Sequence, residues 1–256
     1  MNLIISGYGK MGMLLEARAL TQRHKITAIV DPRFPGKPGL GAPIYESLSK
    51  VMLDSRPVVI DFSTPSAAFN NIAQAVERQL PIVVGTTGWY DRLDEVRTLV
   101  TRHNGAVLYA PNFSLGINLF SKIISYAAAL INQFEEYDVG GLEAHHNHKA
   151  DSPSGTAKVL AEEVLRAMPR KKHVVYDKLD RPPEKDELHI ASVRVGSVPG
   201  THTIYFDSAD DTIEIAHIAR SRDALAAGAL TAAVWLEQAN RAGKRGIFTL
   251  EDVVSC

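Results

Sequence analysis

The segment from Leu3 to Asp31 restricts the fold more than any other. Leu3-Ile4-Ile5 is a short apolar strand that runs into Gly7-Tyr8-Gly9-Lys10-Met11-Gly12. A helix carrying Leu14, Leu15 and Ala17 follows, then a second strand, Ile26 to Val30, which ends at Asp31. Strand, glycine turn, helix and strand in this order predict a βαβ unit, whose strands lie parallel with a right-handed crossover. Gly7 permits the tight turn, Gly9 lets the backbone approach a diphosphate, and Gly12 lets the helix pack closely on the strand. Asp31 stands where an acid accepts hydrogen bonds from an adenosine ribose, and Arg33 suits a 2′-phosphate. Gly7, Tyr8, Gly9, Lys10, Met11, Gly12, Asp31 and Arg33 are therefore candidate cofactor-binding residues, open to NADH, NADPH or both.

The alternation continues through the first half. Val58 to Phe62 is a strand followed by Ser63-Thr64-Pro65, a helix start; Ile82 to Val84 leads into Gly85-Thr86-Thr87-Gly88; Val107 to Ala110 leads into Pro111-Asn112-Phe113. In an open parallel sheet the carboxyl ends of the strands form the ligand crevice. Gly85, Thr86, Thr87, Ala110, Pro111, Asn112 and Phe113 are thus expected to line the nicotinamide end of a dinucleotide. Beyond Asn118 the pattern changes to a helix through Leu119, Ile123, Ile124, Ala127 and Leu130, then strand-like runs at His189 to Val195, Thr201 to Phe206 and Thr212 to Ala219. The fold class expected is α/β: a Rossmann-like parallel-sheet domain at 1–115 and 222–256, and an α+β substrate and oligomerisation domain with a mostly antiparallel or mixed sheet at 116–221.

Chemistry is concentrated from Glu143 to Ala157, E-A-H-H-N-H-K-A-D-S-P-S-G-T-A. His145 and His146 bring the side-chain type whose ordinary titration falls nearest neutral pH, Lys149 supplies a cation and donor, and Ser154, Gly155 and Thr156 offer hydroxyls and backbone N–H groups. Small or apolar residues at Ala157, Leu160, Ala161, Val164, Leu165 and Met168 predict a helix starting at or just after Pro153. Its first-turn N–H groups suit a carboxylate or phosphate. Upstream, Val139 to His146 reads as a strand with Glu143 and His145 on one face and His146 on the other. A metal held by His146, His148 and Asp151 is disfavoured by Lys149 in the same cluster, and no metal site is expected.

Composition narrows the classes further. With a formal net charge of −1, neither nucleic acid nor a membrane surface is an expected partner. No apolar stretch is long enough to span a bilayer and no signal peptide is evident, so the expected location is cytoplasmic. The single cysteine is Cys256, which rules out an intrachain disulfide and argues against thioester chemistry on a buried thiol. Arg170-Lys171-Lys172 reads as a solvated loop, and His202 and His217 as packing or surface residues.

Several of these motifs occur together in one family. G-T-T-G at Gly85, A-P-N-F-S at Ala110, the histidine motif at Glu143, E-I-A-H-I-A-R-S-R at Glu214 and A-A-V-W-L at Ala232 resemble the dihydrodipicolinate (4-hydroxy-tetrahydrodipicolinate) reductases of lysine and diaminopimelate synthesis, nearly end to end. The glycine loop is one residue shorter than the commoner family form, and Ser152 replaces the usual alanine. The resemblance implies NAD(P)H-dependent reduction of a cyclic imine dicarboxylate: the hydroxylated ring loses water, hydride reaches ring C4, and the enamine is protonated at C3. It implies His145 as general acid/base, Lys149 as proton donor, and His146, Ser154, Gly155 and Thr156 gripping a substrate carboxylate. It also implies a homotetramer, with closure hinged near Phe113 to Gly116 and Arg220 to Ala224.

Overall fold

A computed structural model describes residues 1–33, 41–176, 178–221 and 223–254; Cys256 lies outside the described residues. The chain divides into two compact units, Met1–Leu115 with Asp223–Cys256, and Gly116–Arg222.

In the first unit, β1 (Asn2–Ser6) leads through the glycine turn into α1 (Lys10–Thr21) and β2 (Lys25–Val30), then β3 (Ile44–Tyr45). Next come β4 (Val58–Asp61), α2 (Pro65–Glu77), β5 (Ile82–Val84), α3 (Leu93–His103) and β6 (Ala106–Tyr109). Pro65 opens α2 where its missing N–H costs nothing. Leu3, Ile4 and Ile5 are all fully buried, as expected of a parallel strand covered on both faces. Leu3 and Ile5 belong to one apolar cluster with Leu15, while Ile4 belongs to another with Ile72 and Val96. Strands β1, β2, β3, β4, β5 and β6 pair in parallel. The chain runs outward from β1 to β3 and then returns to β4 on the other side of β1. That reversal opens the crevice at the carboxyl ends of β1 and β4, where the glycine turn lies.

In the second unit, α4 (Leu115–Ile131) is followed by β7 (Asp138–His145), α5 (Gly155–Ala167), β8 (His173–Val175), β9 (Glu187–Arg194), β10 (Thr201–Asp207) and β11 (Thr212–Ile218). The sheet order is β11-β10-β7-β9-β8. It is mixed: β10 runs antiparallel to β7 and β11, and β9 parallel to β7 and β8. Val139, Leu188, Ile190, Ile204 and Phe206 pack with Leu160, Ala161 and Val164 of α5. Lys171 departs from the solvated-loop expectation. It is buried, and its ammonium donates to the carbonyls of Lys185 and Glu187 while pairing with Asp138 at 2.5 Å. Those partners meet the cost of burying the cation.

The chain then returns to the first unit through α6 (Asp223–Arg241), β12 (Gly246–Thr249) and α7 (Leu250–Val254), with β12 adding to the sheet beside β6. Gly228 of α6 packs so closely on the loop after β6 that a Cβ would overlap the Phe113 carbonyl. Gly→Ala inside a helix ordinarily stabilises by about 1 kcal/mol. Here the sign should reverse: Gly228→Ala is expected to destabilise by about 1–3 kcal/mol, read by denaturant unfolding. A stabilised variant would contradict this packing.

Candidate functional site

The glycine turn has the form a diphosphate needs. Gly7 adopts φ +87°, and a Cβ there would overlap the Phe62 carbonyl. A Cβ on Gly12 would overlap the Gly7 carbonyl. Gly9 is the N-cap of α1 and no side chain caps the helix there, so the first-turn N–H groups face outward without a built-in acceptor. A Cβ on Gly9 would meet only the tip of Arg33. These residues fit a dinucleotide's diphosphate.

Asp31 directly follows β2, is buried, and accepts from the Tyr8 N–H at 2.8 Å and from Arg33 through its backbone N–H, Nε and Nη2. Burial acts to raise its pKa, but the Arg33 and Tyr8 donors outweigh that and hold it below the usual carboxylate value. Tyr8 is further anchored by its hydroxyl, which donates to Glu16 at 2.5 Å; the other Glu16 oxygen accepts from the Gly41 N–H. Glu16 is fully buried, and its contribution was hidden because the motif ends at Gly12.

The other two candidate loops divide between rim and scaffold. Thr87 and Pro111 are exposed, whereas Thr86 is buried with its hydroxyl donating to Asp61 at 2.6 Å and accepting from the Ser63 N–H. Asp61, at the end of β4, also accepts from Ser6, Ser63 and Asn71. It therefore ties the ends of β1, β4 and β5 together beneath the crevice. Gly85 has no room for a Cβ against the Phe62 ring. Asn112 accepts from the Ser114 N–H at 2.8 Å. Ala110 and Phe113 are core residues, so only their backbone remains for a ligand.

The second unit's chemistry gathers at one end of its sheet. Parallel pairing sets Glu143 beside Ser192 and His145 beside Arg194, while antiparallel pairing sets Glu143 beside His202. All five side chains share the face that further along carries the apolar core. The Glu143 side chain is fully buried. Its Oε1 accepts from the Ser154 N–H at 2.9 Å, the Ser192 hydroxyl at 2.8 Å and Arg194 Nη2 at 3.0 Å. Its Oε2 lies 3.1 Å from His145 Nδ1 and 3.7 Å from His202 Nε2. Burial alone would raise the Glu143 pKa, but these donors win and hold it at about 2.

Burial lowers the pKa of His145; Lys149, Arg194 and His146 act the same way, and Glu143 opposes them. His202 is pushed down to about 4, by burial first and then by His145. It is therefore neutral at physiological pH, with its ring edge-on to His145 at 5.1 Å. His202 and Arg194 escaped the sequence reading because only sheet register brings them to Glu143. The donor atoms of Glu143, His145 and His202 lie within 4.8 Å of one another. A divalent ion could bridge that span, but Arg194 already balances Glu143 and Lys149 adds a further cation, so the charges favour hydrogen bonding.

Beyond β7 the chain turns, with Lys149 N–H donating to the His146 carbonyl, and the Lys149 ammonium pairs with Asp151 at 2.8 Å. His146 is half-buried. Helix α5 begins at Gly155, with Ser154 as N-cap accepting from the Ala157 N–H. Ser154 is buried, its N–H is committed to Glu143, and its hydroxyl lies 3.3 Å from His202 Nε2. The first-turn N–H groups left for a ligand are accordingly those of Gly155, which is exposed, and half-buried Thr156.

Two family models, described as the N-terminus and the C-terminus of dihydrodipicolinate reductase, match residues 1–113 and 116–254. A curated 4-hydroxy-tetrahydrodipicolinate reductase of Christiangramia forsetii is 38% identical, covering 100% of this chain and 98% of its own. One of Archaeoglobus fulgidus is 36% identical, covering 98% and 99%. A dipicolinate-bound dihydrodipicolinate reductase from Paenisporosarcina sp. TG-14 superposes with a TM-score of 0.80 at 23% identity, covering 99% of each chain, and shares the fold. With both halves of its length matched and relatives aligned from end to end, this chain belongs to the dihydrodipicolinate reductase family.

Proposed function

We propose that the chain is a 4-hydroxy-tetrahydrodipicolinate reductase, using NADH or NADPH in lysine and diaminopimelate synthesis. The observation that carries this reading is the cluster in the second unit: a buried acid beside His145, a lysine one turn further along the chain, and a pair of N–H groups at Gly155 and Thr156 not used by the Ser154 cap. That set suits a dicarboxylate whose ring must gain a proton.

The dinucleotide would be held by Gly7 to Gly12, by Asp31 with Arg33, and by the loops at Gly85, Thr86, Thr87 and Ala110 to Phe113. When bound, the nicotinamide supplies a hydride for ring C4. Gly155 and Thr156 grip one substrate carboxylate at the positive end of α5, helped by His146, while Ser154 holds that turn in place from below. Lys149 delivers the proton to C3, and His145 acts as general acid/base beside it. Negative charge grows in the ring during reduction, so a cation and a hydrogen-bonding imidazole act most strongly in the transition state. Arg33 lies across Asp31 and is exposed at its tip, an arrangement we read as accepting either a free 2′-hydroxyl or a 2′-phosphate.

Val193 and Ile218 are exposed on the sheet face opposite the core; we read this face as the place where copies of the chain meet in a homotetramer. Among the described residues no helix is long and apolar enough to cross a membrane; the cytoplasm as place of work is part of the proposal and follows from the biosynthetic role.

Gly155 gives a clean test of the carboxylate grip, because a Cβ built there meets nothing within 4 Å. Gly155→Val should fold normally yet crowd the ligand. Isothermal titration with dipicolinate is expected to show affinity weakened by about tenfold or more, with KM for substrate raised to match. Unchanged binding would remove the helix terminus from the substrate site.

A further inference from the structure

We propose that Glu143 is the positioning residue of this site: its Oε2 holds the His145 ring with a proton on Nδ1, leaving Nε2 to exchange a proton with substrate. The inference rests on the reading of His145 as general acid/base and specifies which of its atoms does that work.

The argument starts from the two oxygens of one carboxylate. Oε1 is occupied by three donors, the Ser154 N–H, the Ser192 hydroxyl and Arg194 Nη2. Oε2 receives none of these and is buried. The imidazole nitrogens within its reach are His145 Nδ1 at 3.1 Å and His202 Nε2 at 3.7 Å. Because Glu143 stays ionised, with a pKa of about 2, Oε2 can only accept. A bare Nδ1 would set lone pair against lone pair between two buried atoms, and a buried unmet acceptor costs about 1–3 kcal/mol. In the resting chain the pair is within reach but not aligned as a full hydrogen bond. A small ring rotation completes it, as is common for catalytic contacts before substrate binds.

The surroundings of the ring bear on access to Nε2 and on its charge. Gly200 lies on the Nε2 side, where a Cβ would stand 3.0 Å from that nitrogen. Glycine at this position keeps a side chain off Nε2. His202 on β10 faces the ring edge-on and is uncharged at neutral pH. Arg194 on β9 and Lys149 and His146 on the turn all disfavour the imidazolium, and Glu143 on β7 favours it. Glu143 therefore sets both where the first proton sits and how readily the second is held. The same carboxylate also anchors the N-cap residue of α5, so one group aligns the proton-transfer ring with the helix turn that grips substrate.

The test is nitrogen-15 NMR of histidine-labelled protein, with His145 assigned by comparison with His145→Asn. In the unmodified resting protein the neutral ring is expected to carry its proton on Nδ1, with Nε2 bare. In Glu143→Gln the His145 titration midpoint should fall by about one pH unit or more. The pH profile of kcat should move the same way, while KM for NAD(P)H stays unchanged. A neutral ring protonated on Nε2, or a midpoint unmoved in Glu143→Gln, would overturn the proposal. If that variant does not fold, the tautomer of the unmodified protein decides alone. The spectrum is read without substrate, so it stands apart from any failure of the reductase reading.

Discussion

Replacing Lys149 with alanine is expected to lower turnover by about 10²-fold or more while leaving NAD(P)H affinity intact. Two separate losses add to this effect. The ammonium is the proton source proposed for C3 and, in the same proposal, the cation that answers charge arriving with the hydride. The substitution also strands Asp151, which now pairs with Lys149 through both carboxylate oxygens, so a local negative charge takes the place of a neutral pair. Lys149→Arg should restore only part of the rate, because a guanidinium keeps the charge but releases a proton poorly. Steady-state kinetics with a parallel fluorescence titration of NADPH checks both halves. Equal turnover in Lys149→Ala and parent would end its assignment as proton donor.

The second large effect is expected at Gly7. Its backbone lies in the left-handed region at φ +87°, its N–H donates to the Val30 carbonyl at 2.8 Å, and a Cβ would meet the backbone of Phe62 and Ser63. Gly7→Ala thus combines an unfavourable φ with a collision against main chain that no rotamer can relieve. The turn must open, and the first-turn N–H groups of α1 move away from the place proposed for the diphosphate. Dinucleotide affinity is expected to fall by about 10²-fold or more. Dipicolinate binding should persist, since the residues proposed for it belong to the other unit. A dinucleotide Kd within about twofold of the parent would show that the turn is not the diphosphate site.

How far the site could be read from sequence depends on the distance over which its parts cooperate. The glycine turn was legible because Gly7, Gly9, Gly12 and Asp31 act within one βαβ unit, where spacing alone sets geometry. The same holds for the strand that puts Glu143 and His145 on one face, which needs only a period of two. His202, Ser192 and Arg194 were hidden: each is an ordinary polar residue in a strand until register pairs Ser192 and His202 with Glu143, and Arg194 with His145. Alternation tells which face a residue takes, but not which strand lies beside it. Ser154 shows a different limit. Its place before a helix was plain, yet its N–H serves Glu143 rather than a ligand, a choice made by a carboxylate outside the helix. Lys171 sat in a basic run that looked solvated, and only the carbonyls of Lys185 and Glu187 and the carboxylate of Asp138 explain its burial. The two-residue strand β3 and the three-residue strand β8 were too short to carry a period.

The most direct test of the account is NAD(P)H absorbance after adding the freshly made product of dihydrodipicolinate synthase to the purified chain. Stoichiometric oxidation of the dinucleotide, lost in Lys149→Ala and competitively slowed by dipicolinate, is the predicted result. A folded chain that binds the dinucleotide and leaves its absorbance unchanged with that product would contradict the account.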